Sequence, residues 1–237
     1  MTLKHRYVLM MSILSTVFFM GCGEEKGARI DNFTEGEIVY EVTYPDLDPN
    51  GTLVQVLPEE ISVFIKGPKT KTSFKTAAGA LVMEVICDAE TRTMISTIAL
   101  FGDQFALKMN SDDIVLIGSQ LAGYQVLDTG KVDTIAGVDV RELNIKYPDK
   151  AENGKMKIST NFDIPSPNWF TVYEDIPQVL IEYDIVHYNI LMHFKAAEII
   201  PKPVDDSEFS PDDDCEYLAK DEFDKFVNGN LDILLSE

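Results

Sequence analysis

The feature that most constrains the fold is a period of two that begins at Glu37 and returns, with breaks, almost to Pro201. Ile38, Tyr40, Val42 and Tyr44 alternate with Glu37, Val39, Glu41 and Thr43. Successive side chains of a strand point to opposite faces, so this spacing gives one apolar and one mostly wet face. The turn-rich run Pro45–Gly51 ends that strand. Ile61, Val63 and Ile65 repeat the pattern up to Gly67-Pro68. Thr70–Thr76, rich in Thr and Lys around Phe74, reads as an amphipathic or edge strand. Leu81–Ile86 is a more continuous apolar run and suits a central strand. Arg92–Leu100 and the set Phe105, Leu107, Met109 follow after short turns.

Ser111-Asp112-Asp113 would cap a short helix through Leu121, although Ile114–Ile117 suits a strand as well. Asp128-Thr129-Gly130, between Tyr124–Leu127 and Lys131–Ile135, is a hairpin signal. Beyond Gly137 the apolar positions are even at Val138 and Val140, then odd at Leu143, Ile145 and Tyr147. A slip of phase near Arg141-Glu142 is the mark of a bulge. Met156, Ile158, Thr160 and Phe162 alternate again, and Pro165 and Pro167 make a loop. Leu180–Tyr188 and Ile190–Ile200 form a last pair of strands, ended by Pro201 and Pro203. The fold class expected is mainly β: a curved antiparallel sheet or half-open β-barrel of about eleven strands over residues 37–204, with a C-terminal amphipathic helix.

That helix belongs to an acidic segment, 205–237. Ser210-Pro211-Asp212-Asp213 has the hydroxyl, proline and acids of a helix start. Cys215, Leu218, Ala219, Phe223 and Phe226 fall at helical spacing, and Asn228-Gly229 closes a helix from about Pro211 to Val227.

The N-terminus sets the compartment. Lys4, His5 and Arg6 precede an apolar run of fourteen residues, Tyr7–Met20, shorter than the ~20 residues a membrane-spanning helix needs. Phe19-Met20-Gly21-Cys22 resembles a bacterial lipobox, in which a peptidase cleaves before a cysteine that carries a diacylglycerol. The resemblance implies a signal peptide over 1–21, a lipid anchor at Cys22 and a polar, acidic tether over 22–36. The alternative is an uncleaved N-terminal anchor. Glu24-Glu25 in the tether resembles short acidic surface-export signals, and equally suits an ordinary solvated linker. The expected location is the cell envelope, as an outer-membrane lipoprotein on the periplasmic face or the cell surface, with the membrane as a partner through the lipid.

Charge excludes one function class. The chain carries 20 basic and 40 acidic side chains, a formal charge of −20. Phosphate binding relies on Lys and Arg, so nucleic acid is not an expected partner. No Gly-x-Ser-x-Gly, phosphate-cradling glycine loop, His-Glu-x-x-His or Cys-x-x-Cys occurs, so no enzyme, catalytic residue, cofactor or metal is expected. His187 and His193 could face each other across a hairpin, but two ligands rarely hold a metal. Ten acids lie in 205–224, where calcium is the sharp reading and a solvated surface the bland one, and no alternating calcium loop is present. Trp169, Phe170 and Tyr173 after the proline loop would cap the barrel if buried, or suit a partner or sugar if exposed. Cys87 and Cys215 read as separate reduced thiols rather than a disulfide.

Two segments carry a family resemblance. Gly130–Val138 (GKVDTIAGV) resembles the K-x-I-A-G-Y-K-C hairpin of small Bacteroidota envelope proteins, and Asp175–Tyr183 (DIPQVLIEY) resembles their L-P-G-(I/L)-(I/L)-L-E segment. The chain is thus similar, over roughly 35–210, to lipoproteins with a domain of unknown function related to the GLPGLI family. Asp175 and Gln178 stand where that motif has glycines, and Asp139-Val140 where Lys-Cys is frequent. The family's sheet resembles the half-barrel of the Lol lipoprotein carriers. That likeness implies a non-enzymatic protein binding a hydrophobic ligand, a lipid or acyl chain, or a partner on a concave sheet. The expected apolar-ligand face is Ile38, Tyr40, Val42, Ile61, Val63, Ile65, Met156, Ile158 and Phe162. The alternative is a structural or interaction subunit of an outer-membrane complex, with the terminal helix filling the sheet.

Overall fold

A computed structural model describes residues 29–76, 81–100, 103–111, 113, 124–147, 154–187, 190–212 and 215–235. Cys22, the signal peptide, the tether up to residue 28 and nearly all of the helix considered at 111–121 lie outside the described residues.

The described residues form one curved, unclosed sheet of twelve strands. They are β1 (Glu35–Thr43), β2 (Glu60–Lys66), β3 (Lys69–Lys75), β4 (Leu81–Asp88), β5 (Thr93–Leu100), β6 (Asp103–Asn110), β7 (Gln125–Ile135), β8 (Val138–Lys146), β9 (Gly154–Ser159), β10 (Leu180–His187), β11 (Ile190–Pro201) and β12 (Glu216–Tyr217). Two α-helices are described, α1 (Thr52–Val56) and α2 (Lys220–Leu235). The order across the sheet is β12-β6-β5-β4-β3-β2-β1-β11-β10-β9-β8-β7. It is built from two antiparallel meanders. The first runs outward from β1 to β6; the second starts at the far edge with β7 and returns to the centre with β11. They meet where β1 pairs antiparallel with β11, Val42 opposite Phe194 and Ile38 opposite Ile199.

That central seam depends on a glycine. Gly36 has φ of 151°, a backbone state L side chains rarely adopt, and a Cβ there would lie 2.3 Å from the Ile200 carbonyl oxygen. Phe33, just before it, stacks on Phe162 with ring centroids 4.6 Å apart. Ala197 is the extra residue of a bulge, since Val39 opposes Glu198 while Tyr40 opposes Ala196.

Four expectations are corrected. β3 is an interior strand between β2 and β4, not an edge. Its Lys71 joins the acidic C-terminal segment to β4, with Nζ 2.8 Å from Glu208 and 3.3 Å from Glu84. Asp128-Thr129-Gly130 is a bulge within β7, where residues 129–131 face only Glu142, and Gly130 takes φ of 71°. The hairpin turn is Ala136-Gly137, both at positive φ, with Ile135 opposite Val138. The phase slip of β8 lies opposite that bulge. Its even and odd apolar sets enter two different clusters, Val138 and Val140 with Ile38 and Tyr40, Leu143 and Ile145 with Tyr173 and Leu180.

The C-terminus departs from the helix expected over about Pro211 to Val227. Residues 202–210 cross the face opposite the main core and include a 3-10 turn, Asp206–Phe209. Val204 and Phe209 are buried there against Ile86, Phe64 and Ile95. Asp206 pairs with Lys66 at 3.0 Å, Lys202 with Glu37, and the Glu35 carboxylate accepts from Val204 N–H at 2.7 Å. Glu216 and Tyr217 then pair parallel to Phe105 and Ala106, the twelfth strand and the one parallel strand pair among the described residues. Helix α2 begins only at Lys220, where Glu222 reaches back to the Ala219 N–H at 3.3 Å, and it continues past Gly229. Pairing with the β6 edge claims Glu216-Tyr217 for a strand, so Cys215, Leu218 and Ala219 precede the helix.

Candidate functional site

The nine residues expected to line a ligand concavity are on the described strands and are already covered. Ile38, Tyr40, Val42, Ile61, Ile65, Met156 and Ile158 are buried; Val63 and Phe162 are half-buried. They fall in two packed clusters joined through Tyr183 and Ile185. The β1 and β2 residues and Phe162 pack in one cluster, while Met156 and Ile158 belong to another with Tyr173, Ile176 and Leu180.

Two pieces of the chain make this cover, and a third lies beside it over strands β4–β6. Leu47, Val54 and Leu57, on the β1–β2 connection that contains α1, pack on the central cluster. The loop between β9 and β10 supplies Ile164, Tyr173, Ile176 and Val179. Asn168 ties that loop together, its Nδ2 donating to the Ile176 and Gln178 carbonyls at 2.7 and 2.8 Å. Trp169 is buried and carries the Arg92 guanidinium 5.4 Å above its ring, so this aromatic group caps the sheet. The third piece is α2. Phe223 and Val227 are buried against Cys87, Met94, Ile98, Leu107 and Met109, and Phe226 lies 4.7 Å from the Phe105 ring centre.

A tyrosine network locks the loop to the strands. Tyr40 donates to the Leu180 carbonyl at 2.7 Å, and Tyr173 to the Asp184 carbonyl at 2.5 Å. The hydroxyls of Tyr147 and Tyr173 are 3.0 Å apart. Burial, reinforced by neighbouring tyrosines, holds the Tyr40 and Tyr173 phenols well above the usual range. Tyr124, packed edge-on to Tyr173, is pushed up to about 12, chiefly by burial and then by Asp175.

The opposite face carries a polar ladder that sequence reading did not single out. Glu182 opposes Lys195, which in turn opposes Glu41. Lys157 Nζ lies 3.0 Å from Glu182 and 3.5 Å from Asp133. His193 Nδ1 is 2.7 Å from Asp184 Oδ1. The two histidines are not cross-strand partners, because His193 opposes Asp184 and His187 opposes Ile190. Among the described residues no three His, Cys, Asp or Glu side chains converge as metal ligands. A shallow depression of about 410 Å³ borders the ladder, and a neighbouring one of about 830 Å³ lies between Arg29–Asn32, the Ala136-Gly137 turn and Ala197–Ile199. Neither is lined by any of the nine expected residues. The alternation of acids and lysines over β1, β9, β10 and β11 was visible, but only the register joins them into one ladder.

The fold and packing thus define a class: an open β-sheet, antiparallel except for β12, whose core face is covered by the chain's own loop and helices. No protein-family model matches the chain, and no curated protein does. It is similar to the solved structure of PNGF-II in the C2 space group, 12% identical with a TM-score of 0.47, over 81% of this chain and 32% of that one. For PNGF-II in the P21 space group the values are 13%, 0.44, 81% and 33%. The chain spans about a third of the length of PNGF-II.

Proposed function

We propose that the chain is a lipid-anchored, non-enzymatic lipoprotein of the bacterial outer membrane, acting as an interaction subunit whose sheet is filled by its own side chains. The anchor part of this reading rests on Phe19-Met20-Gly21-Cys22 behind a fourteen-residue apolar run. One observation carries the choice of a filled scaffold over a carrier. A ligand cavity would keep the terminal helix at its rim, yet Phe223 and Val227 are 5% and 2% exposed on the core face. A net charge of −20 argues for a body held at the membrane by lipid rather than by attraction to anionic head groups.

The second reading, a carrier of an acyl chain or other hydrophobic ligand, has one observation in its favour. Val63, Phe74, Met83 and Val85 stay half-buried on neighbouring strands between the covers. A fluorescent fatty acid distinguishes the two. The intact protein is expected to leave the probe free, and deletion of residues 211–237 to create binding. Tight binding by the intact protein would replace the scaffold by the carrier. The anchor is tested separately: Cys22→Ser should release the protein from membranes or leave the precursor uncleaved, and normal retention of that variant ends the lipoprotein reading.

A further inference from the structure

The two edges of the sheet differ. At one end β6 is partly covered by β12, with α2 beside it. At the other end β7 is the outermost strand, and nearly all its residues are exposed. Five large apolar side chains are exposed among the described residues, and three of them, Val126, Leu127 and Val132, lie on β7. Val132 is the most open at 76%. A long edge strand with outward apolar residues is a template for another strand.

The sequence around Val132 is complementary to itself. If two β7 strands run antiparallel about a two-fold axis at Val132, each Val132 meets its copy. On both sides of the axis Lys131 then meets Asp133 of the second copy, on the same face. Opposite charges and β-branched pairs directly across a ladder are stabilising, and like charges are not. Within each chain Lys131 reaches Glu142 at 3.1 Å and Asp133 reaches Lys157 at 3.5 Å. Across the axis the charges would therefore alternate from Lys157 and Asp133 to the second copy's Lys131 and Glu142. The one other register that sets both lysines against carboxylates pairs Lys131 with Asp128, across the bulge at residues 129–131 where β7 is irregular. A one-residue shift, to Asp133 on the axis, sets Asp133 against Asp133.

Side-chain caps limit how far such a ladder extends. The Gly130, Lys131 and Thr134 N–H groups already donate to Asp128, Thr129 and Asp133 side chains at 2.8, 3.2 and 2.8 Å. A foreign strand running the length of β7 would have to displace all three. A short contact centred on Val132 disturbs them least, and being isologous it closes at two copies instead of growing into fibres. A contact of so few residues makes a weak pair that depends on concentration, which a shared membrane raises. We propose that β7 is a self-association edge, on which two copies of this chain pair antiparallel about Val132. The edge itself does not depend on the filled core, while its concentration at a membrane rests on the lipid-anchor reading, which the Cys22→Ser test checks separately.

The test is cysteine crosslinking of the full chain in its native membranes, with the unsubstituted chain as baseline. Directly opposed residues of an antiparallel pair have Cα atoms about 4.5–5.5 Å apart, within disulfide reach. Val132→Cys should give a covalent dimer joined through position 132, and Val186→Cys, on an interior strand and also exposed, should not. Adding Lys131→Asp should abolish the dimer, and Lys131→Asp with Asp133→Lys should restore it. The proposal is overturned if Val132→Cys crosslinks no more than Val186→Cys, if it crosslinks only to another protein, or if the dimer ignores the charge reversal. Unchanged thermal unfolding of each variant confirms that the loss is not misfolding.

Discussion

Helix α2 should be the first part of the core to open, and the size of the effect follows from its contacts. Its anchors are Phe223 and Val227, both buried, with Phe226 half-buried on Phe105. Burying each of the first two stabilises the docked helix by about 1.5–3 kcal/mol, together ~3–6 kcal/mol. A tenfold ratio is ~1.4 kcal/mol, so α2 should be undocked about once in 10²–10⁴. Sixteen residues make a marginal helix in water, so undocking exposes its amides as well. Hydrogen exchange should therefore give α2 amides protection of about 10²–10⁴, below that of β1 and β11 at the centre of the sheet. Phe223→Ala costs ~3 kcal/mol even at the low end for a buried aromatic. It should lower protection of α2 about a hundredfold and leave β1 and β11 unchanged. If wild-type α2 exchanges in step with β1 and β11, or Phe223→Ala leaves its protection intact, the helix is not a separately docked cover and the reasoning fails.

Gly36→Ala should destabilise the protein by ~3 kcal/mol or more, combining overpacking with a forbidden φ, because the new Cβ would sit 2.3 Å from the Ile200 carbonyl oxygen and 2.7 Å from the Phe33 ring. A denaturant midpoint equal to wild type would refute the seam. Burial raises the Tyr44 phenol to about 12, with Glu59 adding to it, and Tyr124 stands at about the same value. Their contribution is complete below the unfolded pKa of about 10 and is lost as pH rises from there through about 12. Alkaline difference spectroscopy should show several of the nine tyrosines silent at pH 11 until urea is added, and uniform ionisation near pH 10 would contradict the packing. Both Cys87 and Cys215 are free thiols, and burial pushes the Cys87 thiol far up. Iodoacetamide at pH 8 should modify half-buried Cys215 well before Cys87, and equal rates in the native protein would show that β4 is not covered.

Alternation made the strands legible, because each buries one face and side chains report faces directly. Ile38, Tyr40 and Val42 on β1, or Leu143 and Ile145 on β8, are buried as their spacing implies. Neighbourhood was less legible, since the chemistry that mimics an edge or a turn has other uses. Lysines on β3 look like edge protection until the partners of Lys71, Glu84 and Glu208, are known, and the latter is 137 residues away. Asp-Thr-Gly looks like a hairpin turn, yet the same capping side chains and positive φ serve a bulge on a strand that continues. The acidic C-terminus read as solvated surface or helix start. Three of its acids are instead structural: Asp205 caps the 3-10 turn, and Asp206 and Glu208 fasten it to lysines of β2 and β3.

The ligand face illustrates the same limit in its sharpest form. Periodicity identifies which side chains turn inward but says nothing of what they meet there, and a lipid and a helix present the same methylene chemistry. What decides between them is connectivity. After β11 the chain lies at the centre of the sheet, crosses the face opposite the core as far as β6, pairs two residues with that edge and only then starts α2. A helix delivered around the edge in this way comes to lie over β4–β6, on the face bearing Met94, Ile98 and Leu107. The strap sets that position through Lys66, Lys71 and Lys202 with their carboxylates. Surface ion pairs of this kind are individually weak, so the strap's hold rests on Val204 and Phe209 as much as on charge. The covering helix is thus held at two places on opposite faces, by apolar contacts at each, and the face it covers opens only when the core-side contacts are broken.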